Sequence, residues 1–140
     1  MHAERRIVEL AGAWWRKALD DLEVARRVAD LPFACCFHCQ QAVEKAIKAL
    51  LVLHQIDFRK LHDIGQLVRL LQASPSVPPA ARIEGLESLT RYAVVARYPP
   101  GDASPQEARR ALEMATSFLD WARATLPPET HPAEPNTKGT

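Results

Sequence analysis

The sequence predicts an all-α protein, an up-and-down antiparallel bundle of four to five helices. Three observations carry this. The eleven prolines of the 140-residue chain are clustered and mark off long proline-free stretches. Proline is poorly tolerated inside a helix, because it lacks an N–H and clashes with the preceding turn. Each proline-free stretch repeats its apolar residues at helical spacing. Alternating runs bounded by glycine-rich turns are absent, so no sheet is expected. The connections are short, which makes neighbouring helices antiparallel. Residues 1–126 are expected to form this single bundle, and residues 127–140 a disordered proline-rich tail.

The first helix is expected from about Leu10 to Asp30, where Ala11, Trp14, Trp15, Ala18, Leu22, Ala25 and Ala29 form one stripe. The second starts at Pro32, a favoured first-turn residue, and runs to about Gln55. Its polar residues, His38, Gln40, Gln41, Glu44, Lys45, Lys48 and Gln55, fall in one arc of about 160°. The rest of that helix is apolar, which suits a central element and leaves room for a symmetric dimer contact. A short third helix follows from about His62 to Gln72. The fourth is expected over roughly Ala80 to Arg97, with Ile83, Leu86, Leu89, Thr90, Ala93 and Val94 inward. It ends before Pro99, because the residue before a proline avoids the α region. Ser104, Pro105 and Glu107 form a capping-box start for the last helix. Its stripe is Ala108, Ala111, Leu112, Ala115, Phe118, Leu119 and Ala122, and it ends near Leu126.

Composition excludes several classes. Hydrophobic residues make 47% and charged residues 25% of the chain, as in ordinary globular proteins. Eighteen Lys and Arg against seventeen Asp and Glu disfavour a strongly basic nucleic-acid binder, though not a local basic patch. The longest apolar run, Ala49 to Leu53, is too short to cross a membrane. No signal-peptide core is read at the N-terminus. Three neighbouring cysteines, an odd number, point to a reducing cytoplasm rather than a disulfide scaffold. Five glycines exclude a Walker or Rossmann loop, and no cofactor is expected.

Four groups of residues have chemistry to weigh. Glu44 and Lys48 stand one helical turn apart, with Gln40 a turn earlier. They read as a phosphate-binding or partner-fixing edge, or as an exposed i, i+4 pair worth about 0.3–0.5 kcal/mol. His62 at a helix start is suited to orienting a phosphate or moving a proton, or to satisfying first-turn N–H groups. Arg91, Tyr92, Arg97 and Tyr98 supply planar donors for phosphate and rings for stacking on a base. Arg91 and Arg97 lie about 240° apart on a helix and do not share a face. Cys35, Cys36, His38 and Cys39 lack the tetrahedral four-ligand arrangement of a zinc site, so they read as buried small hydrophobes and no metal is assigned. Trp14 and Trp15 are adjacent and cannot both face one core, so one is expected outside, as a dimer or partner contact.

The stretch Phe37-His38-Cys39-Gln40-Gln41-Ala42-Val43-Glu44-Lys45-Ala46-Ile47-Lys48-Ala49 is followed by Leu61-His62-Asp63-Ile64 and later by Arg97-Tyr98-Pro99. This order resembles the HEPN domain family over about Trp14 to Leu126. The resemblance implies a helical bundle that dimerises with a second copy. It implies a role in nucleotide or RNA handling, and pairing with a minimal nucleotidyltransferase in a toxin–antitoxin system. Lys48, His62, Arg91, Arg97 and Tyr98 are then the candidate nucleotide- or RNA-binding residues. Tyr92 and Tyr98 are candidates for modification by the partner enzyme. Active toxins of the wider family are metal-independent ribonucleases with an Arg, four to six residues, and then a His. Counted from Arg97 that His would fall at Asp102, Ala103 or Ser104; counted from Arg91, at Ala96, Arg97 or Tyr98. The motif is absent. A non-catalytic subunit is therefore expected, with a ribonuclease using Arg97 and His62, or a ligand-free dimeric adaptor, as alternatives.

Overall fold

The computed structural model describes residues 2–76, 85–96 and 101–133. Among these there are five α-helices and no strand. The helices are α1 (His2–Arg27), α2 (Pro32–Leu53), α3 (Ile64–Gln72), α4 (Thr90–Val95) and α5 (Pro105–Thr125). Helix α2 lies at the centre and packs against all four others.

Helix α1 begins eight residues before the expected start. Nothing between His2 and Leu10 breaks a helix, and Arg5 pairs with Glu9 one turn on, at 3.3 Å. Its stripe of Ala11, Trp15, Ala18, Leu22 and Ala25 is buried as expected. Ala29 lies beyond the helix end and is exposed. Trp15 is wholly buried and Trp14 half-buried, so the two tryptophans divide as their adjacency requires.

Pro32 opens α2 without a side-chain cap. Much of the wide apolar arc of this helix is covered by α1, α3, α4 and α5 of the same chain, while Ala34, Phe37, Val52 and Leu53 stay partly exposed. Cys35, Cys36 and Cys39 are fully buried in this core as free thiols. Loss of solvation pushes all three thiols upward from the usual cysteine range. The native protein is expected to leave an aromatic disulfide reagent unreacted, with three thiols released on denaturation, read at 412 nm.

Helix α3 starts two residues later than expected, because Asp63 and not His62 caps it. The Asp63 carboxylate accepts from the Gln66 N–H at 2.9 Å. Of the helix expected over Ala80 to Arg97, residues 85–96 are described, and they do not form one continuous helix. Gly85 sits at φ +80°, and a 3-10 turn, Leu86–Leu89, leads into the six-residue α4. Leu86 and Leu89 are buried, but Val94 faces outward at 57% exposure because the short helix rests on α2 through Tyr92. Ile83, Arg97 and Tyr98 lie outside the described residues.

Helix α5 carries the expected capping box. The Glu107 N–H donates to Ser104 Oγ at 3.0 Å, and the Ser104 N–H donates to Glu107 Oε1 at 3.3 Å. Ser104→Ala should cost about 1 kcal/mol of stability, measured by urea unfolding.

The proline-rich tail needs correction over 127–133. Pro128–Thr130 forms a 3-10 turn against α1, with Thr130 only 1% exposed. Gly12 permits this approach, since a Cβ there would stand 3.2 Å from the Thr130 carbonyl oxygen. His131 meets the Trp15 ring edge-on at 6.0 Å. A turn of three residues with one buried Thr has no periodicity, so the sequence could not announce it. Residues 134–140 lie outside the described ones.

Candidate functional site

The polar arc of α2 does not face water throughout. Gln40, Glu44 and Lys48 are buried, with relative exposures of 0%, 6% and 4%. The exposed i, i+4 pair is thus a buried one. Taking two charges out of water is costly and is repaid only when the geometry satisfies both partners. Here it does so through a chain of contacts along the helix. Gln41 Nε2 donates to Gln40 Oε1, and Gln40 Nε2 donates to Glu44 Oε1 at 3.3 Å. Lys48 Nζ donates to Glu44 Oε2 at 3.3 Å and to His62 Nδ1, also at 3.3 Å.

The segment between α2 and α3 closes over this end of α2. Gln55 and Lys60 take positive φ values, which turn the chain back and bring Phe58 and His62 against Lys48. The Lys48 ammonium lies 5.4 Å from the ring centre of Trp14 and 5.5 Å from that of Phe58. The two rings meet edge to face at 6.1 Å. A cation beside aromatic rings is held by their quadrupoles, by about 2 kcal/mol when desolvated. His62 remains open, its side chain 71% exposed. An ammonium has only hydrogen-bond donors, so His62 Nδ1 is the acceptor. In the neutral ring the proton then sits on Nε2.

A second tie joins α1 to α2. The buried Asp21 accepts from His38 Nδ1 at 3.0 Å and pairs with Lys45. Sequence reasoning missed Asp21, although the signal was present. It stands three residues after Ala18 and four before Ala25, inside the apolar stripe, where a carboxylate needs a partner.

Arg91 and Tyr92 sit elsewhere. Tyr92 is 6% exposed and packs against Phe33 near the start of α2. Its hydroxyl donates to Glu107 Oε2 at 2.8 Å, and exposed Arg91 approaches the same oxygen at 3.7 Å. Burial, and then the Glu107 bond, push the Tyr92 phenol well above the tyrosine range. The Tyr92 bond, with the Ser104 N–H, holds Glu107 below the usual carboxylate range. Modification of Tyr92 would require this bonded hydroxyl to leave its place. Phe33 and Lys48 are fifteen residues apart on α2, roughly 22 Å at 1.5 Å per residue. The structure therefore sets Tyr92 and Lys48 at opposite ends of α2, while the Ile64 N–H donates to Thr90 Oγ1 at 3.0 Å, so the start of α4, with Arg91, lies against the segment that carries His62. Glu107 was missed because its place in the capping box already accounted for it.

The ionised Glu107 contributes stability that is complete above the ordinary glutamate value of about 4.3 and is lost as pH falls through its depressed folded value. The neutral Tyr92 contributes below about pH 10 and loses its contribution as pH rises through its raised value. Glu107→Gln should flatten the acid limb of a Tm-versus-pH curve. Phenolate absorbance of Tyr92 at 295 nm should appear late in an alkaline titration.

Among the described residues no group of three or more His, Cys, Asp or Glu is arranged to hold a metal, and no helix is long and apolar enough to cross a membrane. What fold and site define is a small helical bundle built around one polar-cored central helix, with a cationic, aromatic-lined end. Residues 11–125 match the HEPN domain family, and the chain belongs to it. The protein named "Putative toxin MJ1304", of Methanocaldococcus jannaschii, is 32% identical over a 101-residue alignment that covers 66% of this chain. The chain spans 65% of that relative's length. The crystal structure of ST0689, an archaeal HEPN homologue, superposes with a TM-score of 0.66 at 26% identity, covering 84% of this chain and 98% of the other.

Proposed function

We propose that this HEPN protein is the toxin-side or non-catalytic partner of a minimal nucleotidyltransferase in a cytoplasmic toxin–antitoxin-like pair, where it acts as a homodimer that binds a nucleotide or RNA. The observation that carries this reading is the match to a relative named as a toxin, over most of the helical bundle. The open His62 beside Lys48 supports ligand binding there, and exposed Arg91 supports it at the start of α4. Tyr98 and Arg97 complete the candidate set, and Tyr98 is the candidate for modification. Co-expression of the untagged chain with each neighbouring gene product tests it. A small nucleotidyltransferase should carry the chain along at fixed ratio, with a nucleotide's mass added to Tyr98. A chain that stays alone and unmodified beside such a partner would sink the pairing.

A second reading, a metal-independent ribonuclease, is favoured by one observation. The missing motif histidine has a stand-in in His62, whose side chain is 71% exposed beside Lys48. In such a step the 2′ oxygen bonds to phosphorus as the P–O5′ bond breaks, His62 carries the proton from the 2′-hydroxyl to the leaving 5′ oxygen, and Arg97 stabilises the phosphorane. RNA cleavage in chelator that is lost in both Arg97→Ala and His62→Ala would establish it. No cleavage at high protein concentration would dismiss it.

A further inference from the structure

We propose that Trp14, Lys17 and His62 form a nucleotide subsite, in which a nucleobase stacks on Trp14 and its phosphate lies between His62 Nε2–H and the Lys17 ammonium. This deepens the nucleotide- or RNA-binding reading above and rests on it.

The argument starts from what the buried pair does not need. Glu44 already answers the charge of Lys48, and His62 takes a second N–H. An apolar cover would complete the job. Instead two aromatic rings lie beside the ammonium, and the indole is only half-buried. The exposed Lys17 reaches the same indole from α1, its Nζ 6.0 Å from the ring centre. A contact so long and solvated holds the lysine weakly. A stacking base could displace it, and its long side chain could then turn to a phosphate.

The same ammonium group of Lys48 touches both Trp14 and His62, so indole and imidazole are neighbours across it. Three regions meet there: α1 supplies the ring and an exposed cation, α2 the buried pair, and the turn before α3 the imidazole. Of the other nearby charges, Arg59 is tied to Asp57 at 3.0 Å and Asp63 caps α3, while Lys60 is exposed. A ring for the base, a fixed N–H donor and a free cation are the parts from which sequence-tolerant nucleotide binding is built.

The experiment uses the full chain and two probes, adenosine monophosphate and a labelled eight-nucleotide single-stranded RNA. Both present a base joined to a phosphate, and their relative affinities identify the natural source. Binding should quench tryptophan emission, and that quench should disappear in Trp14→Phe while affinity is largely kept. Trp14→Leu should weaken binding about tenfold, within the range for loss of one stacked base. Lys17→Gln, which leaves the core untouched, should weaken binding about threefold and lower the salt dependence by about one ion. If Trp14→Leu does not fold, Trp14→Phe and Lys17→Gln carry the test. Binding of wild type that is unaltered in these variants overturns the subsite and leaves the nucleotide-binding reading standing. Failure of wild type to bind either probe overturns both.

Discussion

Lys48→Met is expected to destabilise the protein by about 3–5 kcal/mol, because it leaves the buried Glu44 carboxylate without its partner. The side chains of Glu44 and Lys48 are 8% and 6% exposed, so water cannot replace the lost ammonium. One further result follows from the geometry. The double variant Glu44→Leu, Lys48→Met should recover most of the stability, since the cost lies in an unpaired buried charge and not in the absence of the pair. Recovery should be incomplete, because Gln40 loses the acceptor for its amide. Urea unfolding of the single and double variants reads both effects. A small loss in Lys48→Met would mean that the pair is reached by water.

Truncation after Leu126 should cost about 2 kcal/mol, at ~25 cal/mol for each Å² of apolar surface uncovered. It removes the turn whose Thr130 is buried against α1 and whose His131 closes over the fully buried Trp15. Truncation after Ala133 should escape this loss, because that turn is kept. A thermal scan of the two truncations beside the full chain decides this. Equal Tm values for all three would show that the turn adds nothing.

The same contrast runs through the rest of the molecule. Fold class, the order of helices and the capping box at Ser104 and Glu107 were legible, because each depends on local rules. Proline placement segments the chain, apolar spacing sets the helix face, and an oxygen at the N-cap meets an N–H three residues on. The motif running from Phe37 to Ala49 was enough to place the chain near its family. What an isolated helix pattern cannot report is how much of its surface the neighbours cover. Glu44 and Lys48 looked like an exposed pair on a polar arc, and became buried only when other elements closed over the helix. The break at Gly85 and the docking of Thr130 beside Gly12 likewise depend on contacts between distant segments.

The candidate site divides in the same way. The sequence named Lys48, His62, Arg91 and Tyr92 by residue type and resemblance, and each is placed by the structure. Their grouping was decided by tertiary packing. His62 joins Lys48 because the loop after α2 turns back, and Tyr92 joins Glu107 because α4 and α5 meet at the far end of α2. Sequence by itself determined which stretches are helical and what family they form, since helix formation and its signals span only a few residues. Tertiary structure alone decided which charges are dry and which aromatic rings stand beside them, since desolvation is a property of everything that surrounds a group.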